Sequence, residues 1–408
     1  MTTSNRQYSV SRRRRQPSPS LTLRWLQQRL DEVGISSIRL LDPDGSAVHA
    51  GEKRQDIVVP TLSVRRLNAL WRAWRGGLIG WAEGYMAGDW DTPDLADLCH
   101  WAAANEQALE RAYGGSRLQQ LFNRLLHRLN ANSRRGSRRN IAFHYDLGND
   151  FYRQWLDPSM TYSSALFEHP GQTLEQAQYA KNRKIMALLQ PQQGDQVLEI
   201  GCGWGGFGEQ LLRQHPVDWH GVTLSREQLH WTQQRLHCFG RQANASLTDY
   251  RDIRGQYQRI VSIEMLEAVG EEHWPHYFNQ LHRLLSEDGS AVIQVITIDE
   301  QRFDSYRRGA DFIQRYIFPG GVLPTSAAVH QHAARAGLVV DQQFAFGQDY
   351  ALTLRHWREA FNRRWPEIAA LGFDQRFRRL WNFYLCYCEA GFASGAIDVQ
   401  LFRFRPHA

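Results

Sequence analysis

The sequence predicts an α/β fold: a mostly parallel, helix-covered sheet in its larger C-terminal part, with a smaller, largely helical N-terminal domain ahead of it. Three observations carry this. From about residue 175, short apolar runs alternate with stretches of helical periodicity. Val197-Leu198-Glu199-Ile200 runs straight into Gly201-Cys202-Gly203-Trp204-Gly205-Gly206 and then into a helical pattern, which reads as strand, tight turn, helix. The chain has 408 residues, long for one core, so two domains are expected.

The front half divides by composition. Residues 1–19 hold five Arg, no acid and Ser/Pro punctuation, and read as a disordered basic tail. Residues 20–130 read as a helical, α+β domain. A short helix covers 20–32, and Ser37–Leu41 and Asp56–Val59 resemble two strands around the turn residues Asp42-Pro43-Asp44-Gly45. Leu67, Leu70, Trp71, Trp74 and Leu78 recur at helical spacing and form the apolar stripe of an Arg-rich helix that Gly76-Gly77 ends or bends. Small residues then alternate with aromatics from Gly80 to Trp90. A second basic amphipathic helix is expected at 117–129, followed by an Arg-rich linker over 131–142, a combination that suits a membrane surface.

Residues 143–408 form the second domain. Strands are expected at 196–200, 217–223, 245–248, 259–263, 290–296, 338–344 and 399–405, with helices from 206 and at 225–237 and 274–285. Strand–helix alternation implies parallel strands, and ligands of such sheets sit at strand C-termini. That rule gathers Gly201–Gly205, Thr223–Gln228, Asp249–Arg251 and Glu264–Glu267 on one edge.

The glycine turn carries the first chemistry. A nicotinamide fingerprint would be G-x-G-x-x-G with a pyrophosphate on the helix N-terminus. Here the spacing is G-x-G-x-G with bulky Trp204 inside it and Glu199 two residues before the first glycine. This suits a ligand lying along the turn without a pyrophosphate, S-adenosylmethionine (SAM). The five cysteines, Cys99, Cys202, Cys238, Cys386 and Cys388, are scattered and odd in number, fitting neither a disulfide framework nor zinc spacing, and no metal is expected. No apolar run approaches the roughly 18 residues of a membrane span. The Arg-rich start lacks the apolar core of a secretory signal, so a cytoplasmic location is expected. The net charge of +6 is concentrated in the first 140 residues, and basic segments attract nucleic acid or anionic lipid heads.

Further stretches line up with one family: His144–Tyr152 (HYDLGNDFY), Leu156-Asp157-Pro158, Met160–Ala165, Gly221–Gln228, Arg259–Gly270, Tyr316–Gly321 and Phe346–Tyr350. Together with the glycine turn they resemble the cyclopropane fatty acid synthases, close to the mycolic acid cyclopropane synthases. The resemblance runs from about residue 140 to the end and more weakly over 67–99. It implies a class I SAM-dependent methyltransferase fold, Rossmann-like, with a mostly parallel seven-stranded sheet. It also implies transfer of the SAM methyl as methylene across a cis double bond of a phospholipid acyl chain, through a carbocation. The protein would then sit peripherally on the anionic inner face of the membrane; the family often dimerises.

Residue by residue, the resemblance implies SAM contacts at Tyr162, Ser163, Glu199, Gly201, Cys202, Gly203, Trp204, Gly205, Thr223, Gln228, Tyr250 and Arg251. The family holds a bicarbonate ion as base in a shell of a Cys, a Glu, a His, a backbone contact at Ile, and a Tyr. Glu267, Ile296 and Tyr350 match. Ser164 stands for the Cys, Gln294 for the His, and Ala268 for the His after the Glu. Ser and Gln still donate hydrogen bonds to an anion, but the titratable donor is gone. The alternative outcome is a methyl-branched or methylated olefinic chain without ring closure. Cys388 matches a C-terminal Cys proposed as catalytic in the family, and His144 an acyl-entrance position. A nucleic-acid methyltransferase is the remaining reading. Base methyltransferases tend to carry Asn/Asp-Pro-Pro-Tyr/Phe where this chain has Glu264-Met265-Leu266-Glu267, so no nucleic-acid partner is expected.

Overall fold

The computed structural model describes residues 18–54, 58–113, 147–309 and 311–407. The basic tail up to residue 17, the helix expected at 117–129, the linker at 131–142 and His144 lie outside the described residues.

The N-terminal domain opens on helix Leu21–Glu32, capped by the Ser20 side chain and burying Leu23, Leu26 and Leu30. A small sheet follows, in the order β2-β1-β3-β4, from β1 (Ile38–Leu41), β2 (Ala47–Ala50), β3 (Thr61–Val64) and β4 (Trp90–Asp91). The sequence reading has no strand at 47–50, and it places its second strand at 56–59, of which residues 56 and 57 lie outside the described residues. The strand instead lies at Thr61–Val64, where alternation puts Leu62 and Val64 inward.

Helix Asn68–Met86 runs through the Gly76-Gly77 pair rather than ending there. It bends at Gly77, whose φ of 52° and ψ of −135° are open to glycine. The bend presses Gly80 so close to the preceding turn that a Cβ would lie 1.9 Å from the Arg72 carbonyl oxygen. The face buried ahead of the bend is Ala69 and Ala73. The apolar stripe read from the sequence is mostly solvent-facing instead. Leu67, Trp71, Trp74 and Leu78 are 63, 52, 66 and 45% exposed, while Ala69 packs close to Gly84 beyond the bend, where a Cβ would meet its Cα at 3.7 Å.

The main sheet has seven strands in the order β10-β11-β9-β8-β5-β6-β7. They are β5 (Gln196–Ile200), β6 (Asp218–Thr223), β7 (Ala243–Leu247), β8 (Tyr257–Ile263), β9 (Leu285–Ile298), β10 (Leu338–Ala345) and β11 (Ile397–Pro406). The pairs among β5–β9 are parallel, and β11 runs antiparallel to both its neighbours. β6 leaves β5 on one side and β8 lies on the other, so the strand order reverses there and opens a crevice beyond the strand ends. Gly201 follows β5 and Glu264 follows β8, one on each lip.

The long C-terminal helix Gln375–Ala393 joins the domains, packing on helices Leu95–Ala104 and Asn68–Met86. Arg379 donates to the Trp90 carbonyl at 2.8 Å and lies over the Tyr85 ring at 4.0 Å. Glu389 is 1% exposed and accepts from Arg355 at 3.1 Å and Arg358 at 3.0 Å, with His100 of the N-terminal domain 3.7 Å away. The burial penalty is outweighed by the His100 hydrogen bond and by the guanidinium groups of Arg358 and Arg355, which hold the Glu389 carboxyl down at about 2, against an ordinary 4.5.

Glu389→Gln should cost about 2 kcal/mol at neutral pH, because it removes the buried carboxylate that pairs the half-exposed Arg355 and the partly buried Arg358. A carboxyl with a depressed pKa stabilises above its unfolded pKa and loses that contribution as pH falls. Denaturant titration should therefore show the gap between variant and wild type closing as pH drops from 4.5 towards about 2.

Candidate active site

The crevice opens into a cavity of about 1310 Å³ that runs from the N-terminal domain to the glycine turn. Trp74, Leu78 and Trp101 line one end; Gly201, Gly203 and Glu267 line the other. That volume exceeds the few hundred to roughly 1,000 Å³ of a typical single-ligand pocket.

The turn after β5 depends on its glycines. Gly201, Gly203 and Gly205 have φ of 82°, 52° and 79°. At Gly205 a Cβ would meet Thr232 Cγ2 at 2.9 Å, whereas at Gly203 it would meet nothing within 4 Å, which leaves that stretch of backbone open to a ligand. Trp204 is locked by its Nε1 donating to Asn149 Oδ1 at 2.7 Å. Thr223 donates to Gln228 Oε1 at 2.9 Å, and Ser225 caps the helix Arg226–Leu236. Burial pushes the Glu199 carboxyl up to about 8, although Trp219 Nε1 donates to it at 2.9 Å. A cationic ligand in the cavity would favour its ionised form. The buried Tyr250 hydroxyl has no hydrogen-bond partner among the described residues. An open glycine bend, an apolar wall and a carboxyl group fit SAM.

Beyond β8 the chain turns at Glu264, whose φ of 50° is unusual for a residue with a side chain. Such a conformation costs on the order of 1 kcal/mol or more and persists only when its surroundings hold it. Three donors do so. The Ser164 backbone N–H and Gln294 Nε2 donate to Glu264 Oε1 at 2.8 and 2.7 Å, and the Tyr350 hydroxyl donates to Oε2 at 2.6 Å. Glu267 accepts from the Ile296 backbone N–H, and its Oε2 is buried with no partner among the described residues. Burial raises both carboxyls. For Glu264 the three hydrogen bonds oppose the rise; for Glu267 the neighbouring Glu264 adds to it and carries it to about 8. Lys181, buried, donates to Ser163 Oγ at 3.1 Å behind this pair.

The shell expected around a free bicarbonate is thus taken up by the protein's own carboxylate. Gln294, Tyr350 and the backbone of Ser164 all serve Glu264, and the Ser164 hydroxyl turns away to the Ala165 carbonyl at 3.0 Å. Ser164 and Gln294 are buried off the cavity wall, whereas Glu267, Ile296 and Tyr350 lie on it. These residues do not fit a bound bicarbonate. Sequence reasoning placed Glu264 on the ligand edge but gave it no role; the signal for one was a second glutamate directly after an apolar strand.

Of the expected SAM contacts, Tyr162, Ser163, Glu199, Gly201, Cys202, Gly203, Trp204, Thr223, Gln228 and Tyr250 line the cavity. Two do not. Gly205 packs against Thr232, and Arg251 is held away by Asp249 in a two-pronged ion pair of 2.8 and 2.6 Å. Cys388 lines the cavity, but burial pushes its thiol well above the ordinary range, so it stays protonated and packs rather than attacks.

Residues 132–402 match the mycolic acid cyclopropane synthetase family. The chain belongs to that family. Its fold is that of the class I SAM-dependent methyltransferases. This family member is 40% identical over 386 residues to the tuberculostearic acid methyltransferase UfaA1 of Mycobacterium tuberculosis, covering 89% of this chain and 86% of that one. It is 39% identical over 260 residues to the cyclopropane-fatty-acyl-phospholipid synthase of Escherichia coli, covering 64% of this chain and 65% of the synthase. Among solved structures it resembles mycolic acid cyclopropane synthase CmaA1 complexed with SAH and CTAB. The TM-score is 0.61 at 33% identity, over 65% of this chain and 97% of that one.

Gly205→Ala combines a left-handed backbone with contact against Thr232, and should cost about 2 kcal/mol of stability. Isothermal titration with S-adenosylhomocysteine should show weakened binding, and thermal unfolding a lowered midpoint. Wild-type values in both would mean that the turn is not built as described.

Proposed function

We propose that this protein transfers the methyl carbon of SAM to a cis-unsaturated phospholipid acyl chain and ends in a methylated olefinic chain without ring closure. The observation that carries this reading is the Glu264 carboxylate held by Ser164, Gln294 and Tyr350 where the family pattern calls for a separate anion. The 40% identity to a tuberculostearic acid methyltransferase over most of both chains favours the same outcome. The expectation of ring closure therefore becomes the second reading, supported by Glu267, Ile296 and Tyr350 and by the 39% identity to the E. coli synthase.

When bound along Gly201–Trp204, SAM supplies an electrophilic methyl carbon. The residues of this chain do the rest. The mainly apolar cavity brings the alkene to the turn and excludes water; its π electrons form the new C–C bond, and positive charge appears on the neighbouring chain carbon. Tyr350, stacked on Phe392 at 4.3 Å, and Tyr162, hydroxyl to hydroxyl with Tyr384 at 2.8 Å, offer aromatic faces to that charge. Glu264 is the better placed acceptor for the departing proton, because its three donors oppose the rise that burial causes, whereas Glu267, pushed up to about 8, holds its own proton near neutrality. The released C–H pair becomes a C=C bond in the methylated olefin. If the proton comes from the transferred methyl and its pair closes on the cation, the product is a ring.

Acting on membrane lipids would place the protein peripherally, at the cytoplasmic face. No described helix is long and apolar enough to cross a membrane.

The decisive assay is purified protein with labelled SAM and unsaturated phospholipid vesicles. The product should take up hydrogen under mild catalysis, as a methylated olefin does and a cyclopropane resists. Turnover should be unchanged in carbonate-free buffer; its loss there, with rescue by bicarbonate, would overturn the role of Glu264. Glu264→Gln should lower turnover on the order of 100-fold or more. Tyr350→Phe removes a donor to the ionised form, so the Glu264 pKa rises and the acid limb of the kcat–pH profile moves to higher pH.

A further inference from the structure

The half-helix ahead of the Gly77 bend carries an apolar face that nothing in the described structure covers. Leu67, Trp71 and Trp74 are spaced so that one stripe holds them, Leu78 follows directly after the bend, and each of the four is 45 to 66% exposed. Trp71 and Trp74 stack on one another with ring centroids 5.3 Å apart. Two bulky indoles side by side in water are unusual for a surface without a partner.

The surrounding charge is layered. Asp89 lies beneath the helix and is 2% exposed, and Glu83 stands on the helix itself beyond the bend. The guanidinium groups stand outside them. Arg72 meets Asp89 at 3.1 Å, Arg66 meets Asp89 at 3.5 Å, and Arg65 meets Asp91 at 2.5 Å. Arg75 has no carboxylate partner among the described residues and lies over the Trp71 ring at 5.2 Å. The outer surface therefore presents indoles and cations, with Asp89 buried behind them and Glu83 and Asp91 only partly exposed. Interfacial helices have this composition: tryptophan at head-group depth and arginine towards anionic phosphates.

The stripe is also continuous with the active-site cavity. Trp74, Gly76, Gly77 and Leu78 belong both to the exposed bend and to the cavity wall that ends at Glu264 and Gly201. A chain leaving a bilayer at the bend would enter an apolar passage without crossing water.

We propose that the face Leu67–Trp71–Trp74–Leu78, with Arg65, Arg66 and Arg75, docks this protein on an anionic phospholipid bilayer and sets the mouth of the cavity against the lipid. The proposal rests on the reading of the substrate as a lipid acyl chain, and it moves the membrane contact from the 117–129 segment, where the sequence put it, to the bent helix.

The test uses the full chain and two variants outside the cavity wall, Leu67→Ser/Trp71→Ser and Arg75→Glu. Flotation is measured with vesicles of zwitterionic phospholipid, with and without an anionic phospholipid. Wild type should bind the anionic vesicles, with a blue shift of tryptophan fluorescence. The double variant should lose roughly tenfold or more of that affinity on both the apolar and the fluorescence readout. Arg75→Glu should lose roughly tenfold or more on anionic vesicles. Both should keep the wild-type thermal midpoint and wild-type turnover on detergent-dispersed substrate, while turnover on vesicles falls. Unaltered vesicle affinity in both variants overturns the proposal. So does loss of self-association in the double variant with vesicle binding intact, which would make the face a contact between two copies. Label transfer is read separately: wild type that binds vesicles but modifies no acyl chain overturns the functional reading and leaves this surface standing.

Discussion

The arrangement depends on keeping two carboxyl groups buried within one site. A lone carboxylate in an apolar interior is costly, and a second one beside it more so. The chain meets that cost for Glu264 with donors from three separate segments: the stretch before the sheet, β9, and the helix that follows β10. Glu267 is satisfied on one oxygen by the backbone of β9 and is left open on the other. The strained backbone at Glu264 fits this picture, since it persists only because those contacts over-determine it.

Everything around the pair is arranged to exclude water and present aromatic surface. The reversal of strand order between β5 and β8 sets the glycine bend and the carboxyl pair on facing lips of one crevice. The N-terminal domain closes the far side, held by Arg379 on Trp90 and by the Glu389 cluster that includes His100. The cavity therefore belongs to both domains. A methyltransferase core alone would leave its apolar end open, which explains why the front domain is built from small residues and tryptophans packed against the C-terminal helix.

The bent helix Asn68–Met86 shows how far local pattern can mislead. Its larger apolar residues have helical spacing, and the ordinary inference buries them. The structure buries Ala69 and Ala73, with Ala69 close against Gly84 beyond the bend, and turns the indoles outward. Periodicity reports that a face exists; the available space decides which face goes inside.

Much of the fold was legible in the chain. The strands from 196 onward, the glycine bend and the helices behind it follow from local signals of β-branched runs, φ-permissive residues and caps, and these act over a few residues. Glu267, Ile296 and Tyr350, matched through resemblance, line the cavity. What only the tertiary structure decided is what those residues face. Glu264, 100 residues from Ser164 and 86 from Tyr350, takes the donors meant for an outside anion; Arg251 is diverted to Asp249; the tryptophan stripe faces outward. Hydrogen-bond partners and burial are set by which distant segments meet, and that information lies in the packing of the whole chain rather than in any window of it.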